Sequence, residues 1–300
     1  MAIEIPVHDR KLKQDFREKV YGERWISWAY ENNWGRRIAG LPAIQKLTSL
    51  GAALWMKSPF SKPRIEPFIR DFDINMNDFV VPAGGFDSFN DFFIRQLRPG
   101  ARPFPSAASE MGAPAEGRLS VFPIKDGKSL LFVKGATLPV SQLVGSKMDA
   151  SSVEDGHAFV FRLCPVDYHR FHFPDSGRVG ASQRLPGVLH SVNPLSIKLR
   201  PDVFLLNERQ LSVFESDHFG RLLYLEVGAV CVGAIVQTHD AQRPILRGQE
   251  KGYFEFGGST VILLTPPQLR PDADLLERSQ KGEETLVRVG ERIAALEQVR

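Results

Sequence analysis

Ser259 follows two glycines in Leu246–Leu264, LRGQEKGYFEFGGSTVILL, and its hydroxyl lies next in sequence to the carbonyl of Gly258. With no Cβ on either preceding residue, the backbone is free to bend toward attack, so this serine is a candidate for cutting its own chain. The hydroxyl must lose a proton as it attacks, which calls for a base within hydrogen-bond reach, commonly one oriented by a carboxylate. Candidate bases lie in Arg162–Pro174, RLCPVDYHRFHFP, where His169 and His172 are three residues apart and Asp167 just precedes them. The plainer reading of either is a structural histidine, and a shared metal face is another, although no convincing third ligand is present. Glu116, in Ala113-Pro114-Ala115-Glu116-Gly117-Arg118, is a carboxylate in a tight turn before a strand, or simply a solvated turn residue. Around Ser259 the local pattern also reads without chemistry, as a β-hairpin closed by Gly257-Gly258.

The elements that must position these residues fall into two textures. Lys11–Met56 reads as helical, with Pro42 placed to start a helix after Gly40. All four tryptophans, Trp25, Trp28, Trp34 and Trp55, fall there among Arg36, Arg37, Lys46 and Lys57, a mixture suited to a water–lipid interface or to an ordinary helical subdomain. Ser58–Pro67, with three prolines, reads as a linker. Phe86–Leu97 predicts an amphipathic helix capped by Asp87 or Ser88, with Phe89, Phe93 and Leu97 on the core. From about Ala113 the chain turns to short apolar runs broken by Gly and Pro: Arg118–Phe122, Leu130–Lys134, Ala158–Cys164, Val188–Val192, Leu222–Val227, Val230–Val236 and the runs flanking Ser259. The tail gives ETLVRVGERIAAL, a strand-like piece with a helical or irregular end. The fold class expected is α+β, a helical N-terminal segment followed by a mostly antiparallel β core.

Composition narrows the setting. The 300 residues are 43% hydrophobic, enough for a sizeable core and not the composition of a disordered chain. Met1–Arg70 holds 13 Lys/Arg against 7 Asp/Glu, so the basic surplus is at the front. Two cysteines, Cys164 and Cys231, with no CxxC pair, argue for a reducing compartment and against a thiolate metal site. No secretory signal or membrane-spanning run is visible. Nucleic-acid binding has only the basic aromatic front in its favour, with no recognised module.

The ordered motifs FFIRQLRPGARPF, PAEGR, CPVDYHRFHFP, VNPLS, NERQ, VGAVCVG and KGYFEFGGST closely resemble the phosphatidylserine decarboxylase family over Phe86–Leu264, and the front resembles its longer members more loosely. The resemblance implies a proenzyme that breaks between Gly258 and Ser259 into chains 1–258 and 259–300, through an ester that eliminates and hydrolyses to leave a pyruvoyl group at Ser259. That group would be the cofactor, without pyridoxal phosphate or metal, converting phosphatidylserine to phosphatidylethanolamine. It also implies His172 as base for Ser259, His169 in decarboxylation, and Glu116 where the family normally has Asp, one methylene farther out. Segment 1–70 would then attach the protein to an anionic phospholipid membrane at the cytoplasmic face, with 71–300 as the decarboxylase domain and homo-oligomers expected. Two further readings stay open: a decarboxylase of a soluble amino acid on the same scaffold, and an unprocessed, non-catalytic scaffold protein.

Overall fold

A computed structural model of the chain describes residues 6–18, 42–125, 129–131, 137–145, 148–192, 202–229 and 234–297. Trp25, Trp28, Trp34, Arg36, Arg37, Cys231 and the segment Asn193-Pro194 fall outside the described residues.

Ser259–Thr265 is buried at every position and lies inside a large sheet, between Gly220–Gly228 and His157–Leu163, antiparallel to both. The order continues outward through Arg209–Ser216 to Gln183–Leu185 on one side. On the other it runs through Gly117–Lys125 and Glu284–Val287 to Pro6–Asp9 and Gln14–Arg17. A strand with cores on both faces needs an unbroken apolar run rather than alternation, and Val261-Ile262-Leu263-Leu264 supplies it. Val261 and Leu263 join Phe159, Phe161, Tyr224, Phe171 and Phe254 on one face. Ile262 and Leu264 join Val160, Leu223, Leu225 and Val227 on the other. The α+β class expected from sequence is the class observed; among the described strands the pairing of Pro6–Asp9 with Glu284–Val287 is parallel.

The hairpin expected around Gly257-Gly258 does not form. Glu250–Phe254 belongs to a separate three-stranded sheet with Ile235–Gln237 and Arg170–His172, so the two glycines carry the chain from one sheet into another. The change of sheet is fixed on its way: Glu255 N–H donates to the Ala234 carbonyl at 3.0 Å and Phe256 N–H to Asn90 Oδ1 at 2.9 Å. Gly257 then adopts φ 145°, a region that favours glycine.

Several other expectations are corrected. Within Lys11–Met56, Gln14–Arg17 is a strand paired with Pro6–Asp9, while the helix does start at Pro42 and runs to Lys57. The three prolines of Ser58–Pro67 do not make a linker. Pro59 and Pro63 sit in a 3-10 turn, Pro59–Arg64, and Pro67 in the first turn of the helix that follows, Ile65–Asp71; at Pro59 and Pro67 the missing amide hydrogen costs little. The amphipathic helix is only Phe89–Phe93, capped by Ser88, whose Oγ accepts from Asp91 N–H. Beyond it the backbone pairs in β fashion, Phe79 with Leu97. Of Val188–Val192 only Val188 makes a β-bridge, to Asn207. The tail places a helix at Ala273–Gln280 and ends in a strand, Arg292–Leu296, rather than a helical or irregular piece.

The helical front packs on the site through aromatic rings. Phe68, Phe86, Phe89, Phe92, Phe93 and Phe256 form one cluster, and Ser61, fully buried, accepts from Phe89 N–H at 2.8 Å while donating to the end of the preceding helix. Gly252 is where the small sheet is tightest: a Cβ there would lie 2.2 Å from the Val236 carbonyl oxygen and 2.8 Å from the Phe171 ring. Gly252→Ala is therefore expected to destabilise the protein by about 1–3 kcal/mol, seen as a lowered thermal midpoint; an unchanged midpoint would mean that the strands of the small sheet shift apart at little cost.

Candidate active site

The serine strand begins at Ser259, whose side chain is fully buried. Its Oγ lies 3.2 Å from His169 Nδ1. His169 Nε2 lies 2.9 Å from the Cys164 carbonyl oxygen, an atom that can only accept, so the hydrogen of the neutral ring sits on Nε2. Nδ1 is left with a lone pair and the Ser259 hydroxyl donates to it. Burial pushes the pKa of His169 down, against the opposing hydrogen bond to Cys164, and Arg95 and Arg118 push it further, to about 3. The ring is therefore neutral near pH 7. Phe93 stacks on it at 3.8 Å between centroids, with an interplanar angle of 25°. A serine hydroxyl hydrogen-bonded to a neutral, water-shielded imidazole and directly following a glycine carbonyl is the geometry that nucleophilic activation requires.

Gly258 itself is not demanded by packing. A Cβ there would meet Val192 and Ala229 at 3.5 and 3.6 Å, ordinary contact distances.

The loop before His169 is held rigidly. Arg95, buried among the Phe79 and Phe92 rings, donates to the Val166 and Asp167 carbonyls at 3.0 and 3.1 Å. Asp167, which the sequence offers as the carboxylate for a histidine, instead takes Arg118 Nη1 with both oxygens and Cys164 N–H at 2.6 Å. The group that orients His169 is thus a backbone carbonyl.

His172 and Glu116 stand elsewhere. His172 Nδ1 donates to the Gly248 carbonyl at 2.9 Å and Nε2 accepts from Tyr168 Oη at 3.1 Å, so both ring nitrogens are engaged away from Ser259. Burial lowers its pKa, opposed by the Gly248 hydrogen bond. Glu116 contacts neither imidazole; it pairs with Arg102, Nε to Oε2 2.9 Å, and Arg102 also reaches Asp78 at 2.8 Å. His172, Tyr168 and Arg102 line a cavity of about 280 Å3 together with Arg98, Gly248 and Glu250. Ser259 and His169 are not among its lining residues. The structure therefore joins Ser259 with His169, and sets His172 and Arg102, with Glu116 behind it, at a separate polar cavity. Tyr168, Arg95 and Arg102 were not singled out by sequence, although all three lie within motifs that carry the family resemblance. Among the described residues no group of His, Cys, Asp or Glu is arranged to hold a metal ion.

The neutral His169 has a sharp pH consequence. Its pKa is about 3 folded against about 6.5 unfolded, so the fold favours the neutral ring. The stability this contributes is fully present above about pH 6.5 and is lost as the pH falls toward about 3. Self-cleavage of freshly folded chain is accordingly expected to keep a constant rate from about pH 5 to 7.5, followed by denaturing gel; a rate rising with a midpoint near 6.5 would contradict a buried neutral base.

Residues 89–295 match the family model for phosphatidylserine decarboxylase. The chain is 39% identical to a phosphatidylserine decarboxylase proenzyme of Clostridium perfringens (strain SM101 / Type A), over 96% of this chain and 99% of the relative. It is 38% identical to the proenzymes of Clostridium botulinum (strain Alaska E43 / Type E3) and Desulfitobacterium hafniense (strain Y51), in each case over 96% of this chain and over 98% and 97% of the relatives. With a family model that matches residues 89–295 and near-complete coverage by proenzymes, the chain belongs to the phosphatidylserine decarboxylase family.

Proposed function

We propose that this protein is made as a proenzyme, cuts itself between Gly258 and Ser259, and then decarboxylates phosphatidylserine to phosphatidylethanolamine. The observation that carries the proposal is the Ser259 hydroxyl donating to the neutral Nδ1 of His169 beside the Gly258 carbonyl. As Oγ forms its bond to that carbonyl carbon, its proton passes to Nδ1; return of a proton to the Ser259 nitrogen lets the C–N bond break, giving an ester. Contact favours His169 over His172 for this step. A pyruvoyl group generated at Ser259 would supply a carbonyl electron sink for loss of carbon dioxide, and the buried, histidine-lined start of the serine strand fits it. The two neighbours of the serine strand both lie before residue 258, so chains 1–258 and 259–300 stay interlocked after the cut.

The polar cavity fits the charged headgroup. There His172 with Tyr168 can deliver or hold a proton, and Arg102, kept in place by Glu116 and Asp78, presents a cation to an anionic group. Membrane contact has a structural candidate at the front. Leu50, Leu54, Trp55 and Phe60 are exposed, Phe60 by 84%, and the Arg64 guanidinium lies 4.3 Å from the Trp55 ring. Exposed apolar side chains beside cations suit an anionic phospholipid surface. Among the described residues no helix is long and apolar enough to cross a membrane.

The test is carbon dioxide release from carboxyl-labelled phosphatidylserine in vesicles against labelled free serine; turnover of the lipid alone is expected, and turnover of serine alone would move the protein to a soluble substrate. Single variants separate the two histidines: His169→Ala should block cleavage, whereas His172→Ala should cleave and lose decarboxylation. Cleavage lost only in His172→Ala would return the base to His172. Glu116→Gln should raise KM for the lipid more than it slows cleavage; a block of cleavage would put Glu116 in the processing machinery.

A further inference from the structure

The histidine of the polar cavity is held from a cluster that lies outside the cavity. Asp175, three residues after His172, is fully buried. Its Oδ2 accepts from Ser216 Oγ at 2.5 Å and from His218 N–H at 3.0 Å, and its Oδ1 accepts from Arg247 Nε at 3.1 Å and Nη2 at 2.7 Å. A buried carboxylate is costly unless it is paired, and Arg247 supplies the permanent cation. The rest of the guanidinium grips the loop 105–108. Its Nη1 donates to the Pro105 and Ala107 carbonyls at 3.0 and 2.7 Å, and its Nη2 to the Ala108 carbonyl at 3.2 Å. A planar fork of donors can serve a carboxylate and three carbonyls at once, whereas an ammonium, with its donors on a single nitrogen, cannot.

Arg247 is also the second residue of a tight turn. Gln249 N–H donates to the Leu246 carbonyl at 2.9 Å, and Gly248, at φ 79°, takes the third position, where such a turn calls for glycine. The turn is tied to the segment that follows the histidine: Gly248 N–H donates to the Phe173 carbonyl at 2.9 Å and Arg247 N–H to Ser176 Oγ at 3.0 Å. This leaves the Gly248 carbonyl oxygen, which accepts from His172 Nδ1 at 2.9 Å. The hydrogen of the neutral ring therefore sits on Nδ1, the tautomer that free histidine disfavours, and Nε2 keeps the lone pair that meets Tyr168 Oη at the cavity wall. We propose that Arg247, seated by Asp175, is a positioning residue for His172: it fixes the Gly248 carbonyl, and with it the tautomer and the place of the ring at the cavity. The proposal rests on the reading that His172 takes part in the reaction, and not on which step it serves. Loss of the grip acts through geometry, and a displacement of about 1 Å at a reacting group can cost on the order of a hundredfold in rate.

The test compares the full-length parental chain with His172→Ala, Arg247→Lys and Asp175→Asn. Cleavage is followed by intact mass, and carbon dioxide release from phosphatidylserine vesicles is expressed per cut chain. Whichever step His172→Ala loses is expected to slow on the order of tenfold or more in both Arg247→Lys and Asp175→Asn, while the other step stays within roughly threefold of the parental rate. The tautomer is read directly by nitrogen NMR of 15N-histidine chains at about pH 7.5, all on a Ser259→Ala background so that every chain is uncut, with the His172 signals assigned by their absence from His172→Ala. One ring form protonated at Nδ1 is expected with Arg247 and Asp175 in place, and a mixture of tautomers in Arg247→Lys and Asp175→Asn, a change that a general loss of stability would not bring. An unaltered tautomer in both variants, parental rates beside an altered tautomer, or failure of both variants to fold would each overturn the assignment. A His172→Ala chain that keeps both steps removes the reading of His172 and the proposal with it, whereas a His172→Ala defect that neither Arg247→Lys nor Asp175→Asn shares removes only the role of Arg247.

Discussion

The hydrogen bond from His169 Nε2 to the Cys164 carbonyl is the constraint on which the site depends. It decides which nitrogen faces Ser259, and burial then keeps the ring neutral, so that nitrogen presents a lone pair to the serine hydroxyl. Holding one backbone carbonyl in place takes a great deal of structure: a turn closed by Asp167, a buried pair of arginines, and Arg95 pinning the following loop from the aromatic cluster. Burying guanidiniums is costly unless they are closely partnered, and the fold accepts that cost directly beneath Ser259.

The sheet architecture explains why a cut at this place need not loosen the protein. Ser259 begins a strand with neighbours on both sides, and the preceding strand belongs to a different sheet. The bond between Gly258 and Ser259 therefore joins two independently held elements. A hairpin would have placed that bond in a turn at the surface; here it joins two sheets, with Ser259 fully buried and Gly258 partly so.

Much of this was legible in the sequence and some was not. The apolar run after Ser259, the pairing of Gly258 with Ser259, and the nearness of the two histidines in one segment all carried local signals. The partition between His169 and His172 did not, because residues three apart on a bent segment can face opposite ways and only the acceptors they meet distinguish them. Gly257-Gly258 gave the pattern of a turn because the alternation of Glu250–Phe254 is local, whereas the choice of sheet is made by partners such as Arg170–His172 and Ala234. The prolines of Ser58–Pro67 read as breakers although Pro59 and Pro67 fall in first turns, where a helix tolerates them.

The most direct measurement is the intact mass of the purified protein under denaturing conditions. The account predicts two chains divided between Gly258 and Ser259, the smaller lighter than a serine-started 259–300 by one ammonia. A single uncut chain after prolonged incubation, or a smaller chain that retains its serine amine, would contradict it.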